Sequence, residues 1–85
     1  MFIVYSKPNC TFCDQVKSLL SARGLAFREI RFDVGQSKED GAEYVNVAEF
    51  KAKYPEAKTV PQIFLAEDQE LVHVGGFTEL KARLA

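Results

Sequence analysis

Cys10 and Cys13, in the stretch PNCTFCDQ (8–15), are the only two cysteines of the 85-residue chain, and two residues separate them. A pair spaced this way can hold a metal, staple a loop, or cycle between dithiol and disulfide. A staple across so short a loop contributes little, because loop-closure stabilisation grows with loop length. Tetrahedral zinc needs four ligands, commonly two Cys pairs or one pair with two His. The chain adds only His73, far away in an apolar stretch, so no metal is expected unless a second chain supplies ligands. His73 itself reads as a surface or half-buried residue on a strand. Redox cycling is the reading that remains.

The elements around the pair favour that chemistry. FIVYS (2–6) is a short β-rich run, ended by the turn Lys7-Pro8-Asn9. From Thr11 to Arg23 the apolar positions Phe12, Val16, Leu19 and Leu20 keep helical spacing, and Gly24 suits the position just past a helix end. The cysteines therefore fall between a strand's end and a helix's start. Free N–H groups and the macrodipole favour negative charge there, and the cation Lys7 precedes Cys10 by three residues. Both effects lower a thiol pKa. Cys13, about one turn further in, lies on the same side and deeper, placed to attack a mixed disulfide formed at Cys10. The asymmetry assigns Cys10 as nucleophile and Cys13 as resolving thiol.

Further along, AFREIRFDV (26–34) alternates, with Ile30, Phe32 and Val34 on one face and Glu29, Arg31 and Asp33 on the other. GQSKEDG (35–41) reads as a polar loop. Asn46 and Glu49 resemble a capping box opening a helix with Val47, Phe50 and Tyr54 on one face, stopped by Pro55. QIFLA (62–66), the turn EDQE (67–70) and LVHV (71–74) read as a hairpin. After Gly75-Gly76, FTELKARLA (77–85) reads as a terminal helix with Leu80 above Leu84. The expected order is β-α-β-α-β-β-α. The first βαβ unit should be parallel and the last hairpin antiparallel. The length, with no repeat or linker, is that of a single domain over 1–85.

Composition excludes other classes. A net charge of −1, with acids interleaved among the Lys and Arg, leaves no basic stripe for nucleic acid. No apolar run approaches the roughly 20 residues of a membrane span. MFIVYS is too short for a signal-peptide core and lacks a charged leader, so the expected compartment is the cytoplasm, where disulfides are usually transient.

Three separated stretches, VYSKPNCTFC (4–13), TVPQIF (59–64) and GGF (75–77), in this order and spacing, resemble a dithiol glutaredoxin of the thioredoxin-fold superfamily over nearly the whole chain. The compact length and the GGFTEL ending resemble small phage and bacterial members. The resemblance implies an α/β fold of the thioredoxin-like (glutaredoxin) type, a four-stranded mixed sheet flanked by three helices, with a cis peptide before Pro61. It implies a glutathione-dependent thiol–disulfide oxidoreductase, with glutathione as co-substrate, acting on disulfide-containing or glutathionylated proteins. Ribonucleotide reductase is among the implied clients, and the chain is expected to be a monomer. It further implies a glutathione groove. Lys7 would meet the glycine carboxylate, with Lys58 beside it; Thr59, Val60 and Pro61 would hold the cysteinyl segment by backbone contacts. Gly76, Phe77 and Thr78 would approach the γ-glutamyl end, where close access needs glycine and a helix N-terminus receives a carboxylate. Phe12 would wall the site.

The chain also departs from the family pattern. Cys-Thr-Phe-Cys replaces the commoner Cys-Pro-Tyr-Cys; losing the proline frees the turn and is expected to alter the dithiol's potential, roughly −200 to −230 mV for the class. Where an acidic pair often follows the double glycine, Phe77-Thr78-Glu79 stands, with Glu79 the one acid. Two alternatives stay open: a redoxin recharged by thioredoxin reductase, and a glutaredoxin bridging a [2Fe–2S] cluster. The first characteristically ends in a Trp-Ser-Gly-Phe-Arg-Pro type stretch, whereas this chain has no tryptophan. The second would use Cys10 and two glutathiones between two chains.

Overall fold

The structure, a computed structural model that describes residues 1–85, is built on one mixed sheet. Strand β1 (Phe2–Ser6) buries Phe2, Val4 and Ser6 on one face. Helix α1 (Thr11–Ala22) returns across that face and buries Cys13, Val16 and Leu20, a stripe at helical spacing. Phe12, at the head of the apolar run, points outward and is 56% exposed, as a residue walling a groove must be, and Cys13 completes the buried stripe. Gly24 follows the helix with φ +66°, the left-handed conformation expected past a helix end.

Strand β2 (Phe27–Asp33) pairs parallel to β1, as the crossover requires. It ends before Val34, which is 57% exposed rather than facing inward with Ile30 and Phe32. Strand β3 (Glu43–Asn46) then pairs parallel to β2, so the sheet has five strands and not the expected four. This strand is four residues long and runs straight into helix α2 (Val47–Lys53). Asn46 ends the one and caps the other, its side chain accepting from the Glu49 N–H at 3.0 Å. A bidentate pairing of the Arg28 guanidinium with the Glu43 carboxylate ties β2 to β3 at the rim.

Strands β4 (Gln62–Glu67) and β5 (Glu70–Gly75) form the antiparallel hairpin, shorter in its turn than expected. Only Asp68 and Gln69 connect them, with φ of +49° and +66°, the double positive φ of a turn that follows strand twist. Helix α3 (Phe77–Leu84) closes the chain. The strand order is β3-β2-β1-β4-β5.

Two cores lie on opposite faces of the sheet. Phe2, Val4, Val16, Leu20, Ile63 and Leu80 join α1 and α3 to one face. Phe32, Phe50, Ala57 and Phe64 join α2 to the other. Each fully buried large apolar side chain contributes about 1.5–3 kcal/mol, which holds the C-terminal end of β1, and the loop after it, between two packed layers.

Candidate active site

Cys10 and Cys13 are joined as a disulfide at the C-terminal end of β1. Asn9 turns the chain there with φ +56°, a conformation Asn tolerates better than most residues. Cys10 is the N-cap of α1, and its sulfur accepts the Cys13 N–H at 3.1 Å. A sulfur in this position meets the donors that a helix start leaves without partners. Cys10 is 8% exposed and Cys13 1%, which is the predicted order of depth. The arrangement can stabilise a Cys10 thiolate and keep Cys13 behind it.

Pro61 follows a cis peptide from Val60, and the Val60 carbonyl lies 4.0 Å from the Cys10 sulfur. No backbone–backbone hydrogen bond involves residues 58–61, so the Val60 N–H has no backbone partner. Two hollows meet at Thr59 and Val60. One, of about 300 Å³, is lined by Phe12, Thr59, Val60, Pro61, Gly76, Phe77, Thr78 and Glu79. The other, of about 180 Å³, has Lys7, Lys51 and Lys58 around an apolar floor that includes Phe32 and Phe50, and no carboxylate lines it. Every residue expected in the groove thus falls into one hollow or the other. The aromatic wall is a pair: the Phe12 and Phe77 rings lie 5.9 Å apart.

Sequence reasoning missed Lys51 and misplaced the demand for glycine. Lys51 follows Val47 by one helical turn, and both line the cationic hollow; without the position of α2, nothing marked it out. Gly76 has φ −98°, which any residue adopts, and it caps α3. Gly75 carries φ +118°, and a Cβ there would sit 2.9 Å from the Glu79 side chain. Pairing in the hairpin steps from Phe64↔His73 to Ile63↔Gly75, a bulge that skips Val74 and brings Gly76 beside Pro61. Glu79, the single acid after the double glycine, is engaged by the chain itself: its carboxylate accepts the Gly76 N–H at 2.7 Å.

Behind the cysteines, the Glu29 carboxylate accepts from the Ser6 hydroxyl at 2.7 Å and from Lys17 at 2.9 Å. Burial works to raise its pKa. Hydrogen bonds from Ser6 and Lys17, with the charges of Lys17 and Arg31, outweigh that and hold the carboxyl below its ordinary range. This network ties α1 to β1 and β2 close behind the Cys10–Cys13 turn.

Comparison with known proteins agrees with the geometry. The glutaredoxin family model matches residues 2–72. Glutaredoxin 3 of Escherichia coli strain K12 is 33% identical over 79 residues, covering 93% of this chain and 80% of that protein. A glutaredoxin of Neisseria meningitidis is 38% identical over 78 residues, 91% of this chain and 76% of that one. Among solved structures, wheat glutaredoxin superposes with a TM-score of 0.65 at 32% identity, covering 95% of this chain and 69% of that one. Brucella melitensis glutaredoxin gives 0.62 at 33% identity, covering 95% and 74%.

Proposed function

This chain belongs to the glutaredoxin family of thiol–disulfide oxidoreductases, and we propose that its Cys10–Cys13 pair reduces protein disulfides and glutathione mixed disulfides with glutathione as electron donor. The Cys10 thiolate attacks one sulfur of the substrate disulfide. That S–S bond breaks, a new one forms to Cys10, and the other substrate sulfur leaves as a thiolate. Cys13, losing its proton, then attacks the Cys10 sulfur, releases the bound thiol and forms the internal disulfide. Two glutathiones return the pair to the dithiol and become glutathione disulfide, so two electrons pass from glutathione through the pair to the substrate disulfide.

The observation that carries this reading is the meeting of the two hollows at Thr59–Val60, 4.0 Å below the Cys10 sulfur. A tripeptide with its cysteinyl portion along Val60 would send one carboxylate toward Lys7, Lys51 and Lys58. Its γ-glutamyl end would reach the start of α3 at Gly76, Phe77 and Thr78, where a helix N-terminus favours an anion. Backbone pairing to Val60 asks nothing of the client's side chains, which suits several disulfide or glutathionylated proteins, ribonucleotide reductase among them. The reading takes the chain as a monomer working in the cytoplasm; no helix is long and apolar enough to cross a membrane.

The test is an NADPH-coupled assay on a small glutathionylated disulfide, run with glutathione plus glutathione reductase and again with thioredoxin reductase. Turnover with glutathione that is lost in Cys10→Ser and kept in Cys13→Ser is expected. Turnover with thioredoxin reductase alone would overturn the choice of donor.

A further inference from the structure

His73 read as an ordinary strand residue, yet its ring is engaged on the α2 face of the sheet. It stacks on Phe64 with centroids 4.5 Å apart and planes 14° from parallel. Its Nε2 lies 2.6 Å from Gln62 Oε1. Gln62 is 4% exposed, and its Nε2 donates to the Thr59 carbonyl at 2.8 Å and lies 3.2 Å from the Thr59 hydroxyl oxygen. Thr59 in turn precedes Val60, whose carbonyl faces the Cys10 sulfur. A line of directed contacts runs from β5, through β4, to the backbone beside the cysteine.

The proton positions in this line are determined by chemistry. A backbone carbonyl can only accept, so the Gln62 atom facing Thr59 must be the amide nitrogen, and Oε1 must face His73. Oε1 can only accept, so His73 carries its proton on Nε2. A second proton would add at Nδ1, which looks toward the Glu56 carboxylate 3.9 Å away in the loop after α2. Tyr54, at the C-cap of α2, is the other titratable group beside the ring, at 6.1 Å; the β4 neighbours Gln62 and Phe64 do not titrate. The Nε2–H bond to Gln62 is therefore the same in both charge states of His73.

Two side chains make hydrogen-bonding contacts to the backbone of residues 58–61: Gln62 at the Thr59 carbonyl and, at 4.0 Å, the Cys10 sulfur at the Val60 carbonyl. Residues 54–61 belong to no helix or strand, and residues 58–61 make no backbone–backbone hydrogen bond. We propose that Gln62 and His73 are positioning residues for the reaction: His73 fixes the Gln62 amide, and Gln62 fixes the Thr59 carbonyl, so that the Val60 backbone is presented to a substrate in one orientation. The proposal rests on the reading of Val60 as the substrate-binding backbone. It goes beyond that reading in assigning what holds this backbone still, and in giving a role to a histidine outside the groove.

His73→Phe keeps the ring stacked on Phe64 but removes the donor, whereas His73→Gln restores a donor of similar reach. Gln62→Glu keeps the shape of the side chain but replaces the amide donor by a carboxylate. The measurement is reduction of a disulfide-bonded cysteinyl peptide with dithiothreitol as the reductant, so it does not depend on glutathione as donor. His73→Phe and Gln62→Glu should raise KM for the peptide about three- to tenfold, the loss expected for one hydrogen bond, with kcat within about twofold. His73→Gln should recover most of the wild-type KM. Alkylation of reduced Cys10 by iodoacetamide, which does not need the groove, should proceed at the wild-type rate in all three. If one variant does not fold, the other carries the test.

An unchanged KM in a folded His73→Phe or Gln62→Glu would overturn the proposal. So would a loss that appears equally in alkylation, or one that His73→Gln does not relieve. A wild type that reduces the peptide with dithiothreitol but not with glutathione would count against the donor proposed above, and leave this test standing.

Discussion

The Cys13 amide N–H donates to the Cys10 sulfur across 3.1 Å at the first turn of α1. In the reduced protein the same donor serves a Cys10 thiolate, and the helix N-terminus adds to it. The Cys10 thiol should therefore ionise well below free cysteine. The pH dependence of its alkylation, with Cys13→Ser used to isolate the thiol, gives the value directly. Ionisation at or above that of free cysteine would contradict the assignment of Cys10 as nucleophile.

Thr11 occupies the first helical position, where a backbone N–H has no partner within the helix and proline is readily accepted. Cys10 before it is extended, with φ −117° and ψ 104°, which is also what a following proline requires. Thr11→Pro should leave the fold intact and stabilise it by about 0.4–1 kcal/mol through the unfolded chain. Chemical denaturation of the oxidised protein checks this, and a destabilised variant would show that the Thr11 side chain does more than open the helix.

Much of this site was readable before the fold was known, for definite reasons. Cysteine spacing, the Lys7-Pro8-Asn9 turn and the helical run after it are local signals, and they placed Cys10 at a cap and Cys13 beneath it. The groove residues came through resemblance in the TVPQIF and GGF stretches, and the two hollows collect all of them. What local pattern could not carry was anything set by pairing between distant segments. Strand β3 is four residues long and merges with α2 through Asn46, so its alternation is too short to register. Lys51 matters only because α2 brings it to the hollow that Lys7 and Lys58 also line. The need for glycine moved from Gly76 to Gly75 because a bulge at Val74, invisible in sequence, sets the backbone there.

Gly75→Ala puts a side chain at φ +118° and brings its Cβ to 2.9 Å from Glu79, so it should cost about 1–3 kcal/mol of stability. Gly76→Ala meets the flexible end of Glu79 at 3.3 Å in an ordinary backbone conformation, and should be close to neutral in stability. Urea denaturation of the two variants separates them, and equal costs would contradict the structural distinction between the glycines.

Glu29 carries a pH signature. Its pKa is lowered in the folded protein, where hydrogen bonds from Ser6 and Lys17 and the charges of Lys17 and Arg31 outweigh burial, so the charged form supports folding. That support is present above the ordinary carboxylate range and is lost as pH falls through it toward the lower folded value. Glu29→Gln should be less stable than wild type at neutral pH, with the difference shrinking as the solution is acidified. A difference that stays constant, or grows in acid, would remove Glu29 from the list of charges that hold α1 to the sheet.

The proposed reaction turns on Cys10 forming a mixed disulfide with glutathione inside the groove. The most direct measurement is mass spectrometry of Cys13→Ser and Cys10→Ser after brief exposure to glutathione disulfide at neutral pH. Cys13→Ser should gain one glutathione rapidly, at Cys10, while Cys10→Ser, left with the buried Cys13, gains it slowly or not at all. Equal rates in the two variants, or faster addition to Cys10→Ser, would contradict the assignment of nucleophile and resolving thiol on which the proposed reaction depends.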